Sequence, residues 1–571
     1  MRIVVVGGVA GGMSAAARAR RLNESAEIIV FEKGRYVSFA NCGLPYRVGG
    51  EIEEDNYLLL HTPESLRAEL DLDVRIEHEV IEIDPTAKTV AVSTPHGLET
   101  VAYDALVLSP GAEAIAPPIP GMDLDTVTHL RTVDEARELA QRVTGARRAV
   151  VMGAGFIGLE TAEAFRHRGI EVTLVELAPH VLPPLAPEMA HLVDAELRAH
   201  GVDVRTGIAA TGVTAAAQGV EVQLSDGSAV PADIVVVSVG VRPNSALATA
   251  AGLEITERGA IVVDDQQRTS DPSIWAAGDA IAVRHGVTGQ VGPVPLAGPA
   301  NRQGRRAADS IMGVAGSAKP VLGTAIVRAF GLTAALTGAS PRMLDAAGID
   351  YFVVHSHPAN HAGYYPGSEI MHLMGVFSPD GRLLGAQAVG PDGADKRIDI
   401  LATALQAGMT ANDIAELELA YAPPFGSAKD PVNMLGFVAQ NVIAGTTRLW
   451  RASDLDWARH NALILDVRSE REYAMGHLPE AINLPHTHLR EYLEGVRDVA
   501  AGRPIRVLCA SGVRSYLAHR ILTQHGLDSA SFDGGMDTLT AVLPGIELAT
   551  GLAPAPASAS ASASASASAS D

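Results

Sequence analysis

The sequence predicts an α/β chain built from several layered domains, and three observations carry that prediction. Two stretches, near residues 3–32 and 149–176, each read as an apolar run, a glycine-rich turn, a helix-forming run and a second apolar run ending in an acid. A fresh alternation of apolar runs and helix-forming segments begins near residue 450. The composition holds 56 glycines against 10 Phe, 11 Tyr and 3 Trp, which suits tight turns and closely packed helix-on-sheet layers. A chain of 571 residues has room for three to five domains of about 100 to 200 residues each.

The first unit runs Ile3-Val-Val-Val6, then Gly7-Gly8-Val9-Ala10-Gly11-Gly12, a helix over 13–22, and Glu27-Ile-Ile-Val-Phe-Glu32, with the acid 20 residues past Gly12. Such a turn lets a pyrophosphate rest on the amides at a helix start while the acid receives ribose hydroxyls. Val9 stands where the usual pattern has its second glycine, which weakens this copy taken alone. The second unit is cleaner: Ala149-Val-Val-Met152, Gly153-Ala-Gly155-Phe-Ile157-Gly158, a helix over 159–168, and Glu171-Val-Thr-Leu-Val-Glu176. Two copies, each between a β-rich run and a helix, are a strong signal where one is weak. No arginine immediately follows Glu176, so NADH is favoured over NADPH. Another apolar run ends in Trp275-Ala-Ala-Gly278-Asp279. Its acid either aims at a polar ligand chain or belongs to an ordinary strand-to-helix turn.

Only two cysteines occur, 467 residues apart: Cys42 in Ser38-Phe-Ala-Asn41-Cys42-Gly-Leu-Pro-Tyr46, and Cys509 in Cys509-Ala510-Ser-Gly-Val-Arg514-Ser515. Two distant thiols give no secreted-type disulfide framework. A lone redox thiol must join an external sulfur or oxygen. The formal charge of −22 opposes nucleic acid and anionic lipid. The opening residues show no signal-peptide pattern, and no apolar run reaches membrane-spanning length. A cytoplasmic protein without nucleic-acid or membrane partners is expected, and no metal site is predicted.

Over about residues 1–445 these elements resemble the two-dinucleotide flavoprotein disulfide reductases. The resemblance implies an FAD-binding domain (1–115 and 241–320), an NADH-binding domain (116–240) and an α+β dimerisation domain (321–445). It puts FAD on the first unit, with Asp279 at the ribityl chain, and NADH on the second. It also implies cofactor contacts at Lys33, Ile157, Glu160, Gly240 and Ala297. The stretch around Cys42 is similar to the single-cysteine branch, which contains coenzyme A disulfide reductases, NADH oxidases and NADH peroxidases. Oxidases and peroxidases of that branch place a histidine where this chain has Ala10, which argues against oxygen or peroxide.

Ser14, Arg18 and Arg21 share a helix face at spacings of 4 and 3. By themselves they read equally as a solvated basic face, and the resemblance makes them contacts for CoA phosphates. Ser38 and Asn41 beside the thiol point to CoA as well. Asn360-His-Ala-Gly-Tyr364-Tyr365 and Tyr421-Ala-Pro-Pro-Phe-Gly-Ser-Ala-Lys429 resemble the family's dimerisation segments. There Tyr364 and Tyr421 would reach the partner subunit's thiol as proton donors, with Asn360 and Lys429 at CoA. A homodimer with composite sites follows from the resemblance. A lowered Cys42 pKa is expected beside a helix start or an electron-poor ring.

From residue 450, Asp466-Val-Arg468, Gly476-His-Leu-Pro-Glu and Cys-x-x-Gly-x-Arg-Ser resemble a single rhodanese domain, over 450–552. Loop amides would favour a thiolate or persulfide at Cys509, with Arg514 adding positive charge. Ala510 occupies a position where many rhodaneses have arginine, which disfavours thiosulfate as donor. Asp466 and Arg468 read as a structural pair. The Ala-Ser repeat of 553–571 reads as a disordered tail. The combination implies NADH-dependent reduction of CoA persulfide or polysulfide through Cys42, with the rhodanese domain transferring sulfur. Alternatives are CoA disulfide reduction for thiol homeostasis and, from another class, a sulfur carrier or redox sensor.

Overall fold

The apolar run Arg2–Val6 has four of its five residues buried, as a strand covered on both faces should. It is the middle strand of a five-stranded parallel sheet, ordered Ile274–Ala276, Ala105–Leu108, Arg2–Val6, Glu27–Glu32, Asp73–Ile76. The second glycine turn opens from another parallel sheet, ordered Val202–Thr206, Glu171–Glu176, Arg148–Met152, Ile234–Val237, Val127–Thr128. A third, antiparallel sheet is built from Ala325–Ala329, Leu332–Gly338, Leu383–Gly390, His372–Phe377 and Phe352–Ser356. This is a computed structural model, and it describes residues 1–551. The tail expected at 553–571 and the last residue of the 450–552 domain lie outside the described residues.

Both glycine-turn helices begin three residues earlier than the sequence reading placed them, at Ala10–Leu22 and Phe156–His167. The physical reason is that the last glycines of each turn are themselves helical. A Cβ built on Gly12 would stand 1.9 Å from the Gly7 carbonyl oxygen, and one on Gly158 1.9 Å from that of Gly153. Only glycine lets a helix leave so close to the turn that feeds it. At the second glycine position of the cleaner copy, a Cβ on Gly155 would meet nothing within 4 Å. Gly155 and Val9 are both extended helix N-caps. Valine therefore fits there without strain, and the departure at Val9 costs no packing.

Contacts divide the chain into two units, Met1–Val354 with Pro358–Gln440, and His355–His357 with the residues from Asn441 onward. The second unit has its own five-stranded parallel sheet, ordered Leu449–Trp450, Ser529–Phe532, Ile505–Leu508, Leu463–Asp466, Ile482–Asn483. Its core is centred on Trp450, which packs edge-on against Phe532 at 4.7 Å and donates its indole N–H to the Val507 carbonyl at 3.0 Å. Among the described residues no helix is long and apolar enough to cross a membrane.

Candidate active sites

The carboxyl ends of the first two sheets open into one cavity of about 2040 Å³, well above the size that holds a drug-sized ligand. Gly7, Gly8, Val9, Ala10, Gly11, Glu32 and Lys33 line it, joined by Gly155, Ile157, Glu160, Gly240, Gly278, Asp279 and Ala297. Gly12, Gly153, Gly158 and Glu176 lie behind or beside this wall, outside its lining. The two strand-end acids are held alike. Glu32 accepts the amides of Gly8 (2.7 Å) and Gly34 (2.8 Å), and Glu176 accepts those of Ala154 (2.7 Å) and Ala178 (2.7 Å). Each carboxylate is thus fixed at the lip of its glycine turn, where a ribose would present its hydroxyls. Burial pushes the Asp279 carboxyl up, and the Arg131 guanidinium 3.9 Å away opposes the shift. Glycine-rich turns, fixed acids and a roomy cavity of mixed polar and apolar lining fit a dinucleotide such as FAD.

Cys42 lines the same cavity. It lies in the short turn Asn41–Gly43 that leads into the helix Leu44–Gly49. The thiol is exposed yet stands in a concave wall. Its pKa is raised, first by the surrounding polypeptide and then by the charges of Glu160 and Asp279. This departs from the depression expected of a helix start: the polypeptide buries the thiol, the helix after Cys42 is short, and the fixed charges facing the thiol are negative. Asn41 also lines the cavity. Ser38 adopts φ +50° and donates its amide to the Gly8 carbonyl at 2.8 Å, tying the thiol segment to the first glycine turn. Burial pushes the Glu160 carboxyl up to about 6, while the Tyr46 hydroxyl, donating at 3.1 Å, works the other way.

The predicted CoA contacts fall into three groups. Ser14 donates to Asn301 at 2.6 Å and Arg18 pairs with Asp309 at 2.7 Å, both within the contact to the helix Ala297–Ile311. Arg21 and Lys429 are exposed. Asn360 differs from expectation: it is 3% exposed, gives its amide hydrogen to Asp392 (3.0 Å) and takes that of Glu369 (3.0 Å). Its side chain is consumed in holding its own loop, which corrects its assignment as a ligand contact. Tyr364 and Tyr421 are brought together, hydroxyl to hydroxyl at 3.0 Å, and both are exposed. Tyr365 instead sits edge-on to His361 at 5.7 Å.

In the second unit, Cys509 follows the strand Ile505–Leu508 and precedes the helix Val513–Gln524. The thiol is 1% exposed. The Gly512 amide donates to its sulfur at 3.1 Å, and Ser515 Oγ lies 3.3 Å away. Arg468 grips both oxygens of Asp466 at 2.6 and 3.0 Å in a buried pair, the structural role read from sequence. Arg514 faces Cys509 electrostatically, as expected, and both its terminal nitrogens are also bound to the two oxygens of Glu472, at 2.7 and 2.6 Å. That pairing holds Glu472 down to about 2. The charge near the sulfur is thus partly offset by a carboxylate that takes its hydrogen bonds.

Sequence reasoning missed Arg131, Tyr46 and Glu472. Their partners lie far away in sequence: Glu472 is 42 residues from Arg514 and Tyr46 is 114 from Glu160. The one local signal for Glu472 is its place three residues after Ser469, the spacing of the capping box that the structure shows, and that spacing points to a structural role. Elsewhere Glu51, Glu163 and His167 stand close enough together to hold a metal ion, but Arg328 already pairs with both carboxylates.

Comparison with known proteins places these features. The pyridine nucleotide-disulphide oxidoreductase profile matches residues 1–304, that family's dimerisation domain matches 324–431, and a rhodanese-like domain matches 450–541. A coenzyme A disulfide reductase of Staphylococcus epidermidis is 36% identical over 445 residues, 77% of this chain and all of that one. Among solved structures, reduced Bacillus anthracis CoADR-RHD matches at TM-score 0.93 and 42% identity, over 95% of this chain and 98% of that one. A NAD-dependent persulfide reductase from A. fulgidus matches at 0.88 and 40%, over 94% and 100%. The chain belongs to the pyridine nucleotide-disulphide oxidoreductase family and carries a rhodanese-like domain after the dimerisation domain.

Proposed function

We propose that this chain is an NADH-dependent FAD enzyme that reduces the sulfane sulfur of CoA persulfide or polysulfide to sulfide, with Cys42 as its redox thiol. The observation that carries the reading is a single thiol lining the dinucleotide cavity on a chain that also bears a complete Cys509 loop. A second cysteine beside Cys42 would make an internal disulfide. Without one, the oxidised form must bind an external sulfur. The similarity to a persulfide reductase over nearly the whole chain supports this choice.

In this reading Gly7 to Gly12, Glu32 and Asp279 hold FAD, and Gly155, Ile157, Glu160 and Glu176 hold NADH. Bound FAD supplies the two-electron link between the nicotinamide and a sulfur at Cys42. The Cys42 thiolate attacks the CoA-bearing sulfur of the persulfide, forming the mixed disulfide as hydrosulfide leaves. Two electrons and a proton then return CoA thiol and the Cys42 thiolate. The net reaction is NADH, a proton and CoA persulfide giving NAD⁺, CoA thiol and hydrogen sulfide. Tyr364 and Tyr421, acting across a homodimer, deliver protons to the departing sulfur. Ser14, Arg18, Arg21 and Lys429 supply positive or polar contacts to CoA.

The test is steady-state turnover with NADH against CoA persulfide, polysulfide and CoA disulfide under one set of conditions. Faster use of the persulfide or polysulfide is expected, and a large preference for CoA disulfide would overturn the assignment in favour of thiol homeostasis. Cys42→Ser should abolish NADH-linked sulfide release. Its persistence would favour a carrier or sensor.

A further inference from the structure

The charges around Cys509 balance in an unexpected way. Arg468 is paired with Asp466, and Arg514 is paired through both arms with Glu472. Asp537 faces both arginines. Two cations therefore meet three carboxylates next to a sulfur that is 1% exposed. Position 510, at the head of the loop, contributes only a methyl group. Glu472 is itself firmly placed: it takes the Ser469 amide at 3.0 Å and the Ser469 hydroxyl at 2.6 Å in the capping box that starts the helix Glu470–Met475. A carboxylate anchored at both ends holds Arg514 in one orientation, because a bidentate arginine pair is strong and directional.

Donors impose different demands here. Thiosulfate delivers its outer sulfur with two negative charges concentrated on a small group. The Cys509 thiolate would form a bond to that sulfur while the sulfur–sulfur bond breaks and sulfite leaves with the electron pair. An organic persulfide delivers the same sulfur with at most one negative charge on the sulfur pair, and a thiolate leaves. Resting on the reading that Cys509 takes sulfane sulfur, we propose that Glu472 is a donor-specificity residue: by occupying both terminal nitrogens of Arg514 and offsetting its charge, it weakens the cation a dianionic donor needs and selects organic persulfides. Glu472 touches neither donor and acts through Arg514, so it is a positioning residue.

The experiment uses the full chain with cyanide as acceptor and reads thiocyanate, an assay that needs Cys509 and not Cys42. Glutathione persulfide and thiosulfate are compared as donors. In the parent protein the persulfide is expected to be used at least tenfold more efficiently. Glu472→Gln keeps the shape and removes the charge. It should raise kcat/KM for thiosulfate about tenfold, mainly through KM, while persulfide use changes less than threefold. Ala510→Arg leaves Glu472 in place, adds a cation and should give the same gain, which decides the matter if the glutamine variant does not fold. Efficient thiosulfate use by the parent would overturn the proposal, as would no gain in either folded variant. A parallel loss with both donors would show that the Glu472 contact only maintains structure. Failure of the parent to transfer sulfur from either donor would remove the sulfurtransfer reading itself.

Discussion

Glu160 accepts the phenolic hydrogen of Tyr46 at 3.1 Å, joining the helix after Cys42 to the helix of the second glycine turn. The Glu160 charge acts on the thiol, and both line the same cavity. The carboxyl is held up to about 6 by burial, and the phenol is pushed up to about 12, again chiefly by burial. Above pH 6 the acid is charged, and its field opposes a thiolate at Cys42. Glu160→Gln should therefore lower the Cys42 pKa, read as a leftward shift of the alkylation rate against pH. An unchanged profile would show that the acid does not govern the thiol.

The same carboxyl predicts a pH dependence of stability. Its folded pKa lies above the ordinary 4.5, so the folded state binds more protons than the unfolded state between about pH 4.5 and 6. Its contribution is most favourable below that window and is lost as pH rises through it. Allowing for partial solvent contact, the loss is about 1 kcal/mol. Urea unfolding at pH 4.5 and 7 should show Glu160→Gln relatively more stable at the higher pH.

Nicotinamide choice should follow Glu176. Its carboxylate, fixed by the Ala154 and Ala178 amides, repels a ribose phosphate. Glu176→Ala should raise the NADPH to NADH ratio of kcat/KM about tenfold, equivalent to removing ~1.4 kcal/mol of discrimination. A ratio that stays fixed would place the discrimination elsewhere.

The tyrosine pair distinguishes neighbours. Tyr364 bonds Tyr421, and Tyr365 packs on His361. Loss of a proton donor costs about a hundredfold in turnover, so Tyr421→Phe should lower kcat to that extent with KM little changed. Tyr365→Phe should cost less than about threefold. Equal losses would remove the distinction.

The Asp466–Arg468 pair is wholly enclosed in the second unit. Removing one partner strands a buried charge, at a cost of about 3–5 kcal/mol. Asp466→Ala should shift the unfolding of the second unit to lower urea while leaving the transition of the first unit in place.

Much of the fold and both thiol sites were legible because their signals are local. Glycines, a following helix and a strand-end acid occur within about thirty residues of one another, and the rhodanese-like loop is a single heptapeptide. What was not legible depended on partners distant in sequence. Arg514 reads as a free cation until Glu472 is seen bound to it. Asn360 reads as a ligand contact until Asp392 and the Glu369 amide claim its side chain. The Cys42 pKa went the other way because a local argument about a helix start could not register the polypeptide that buries the thiol or the two carboxylates brought from other segments. The early helix starts came from treating glycines as turn residues only, when their lack of a Cβ lets the helix begin among them.

The helices Leu44–Gly49 and Phe156–His167 touch where Gly49 faces Ala164, leaving a Cβ at position 49 only 3.1 Å from that alanine's own. The thiol segment and the second glycine turn are therefore set in register by a contact with no spare room. For protein engineering this makes them one cassette: a graft that moves the cysteine motif into another scaffold without the matching helix would lose the spacing between the thiol and the second glycine turn.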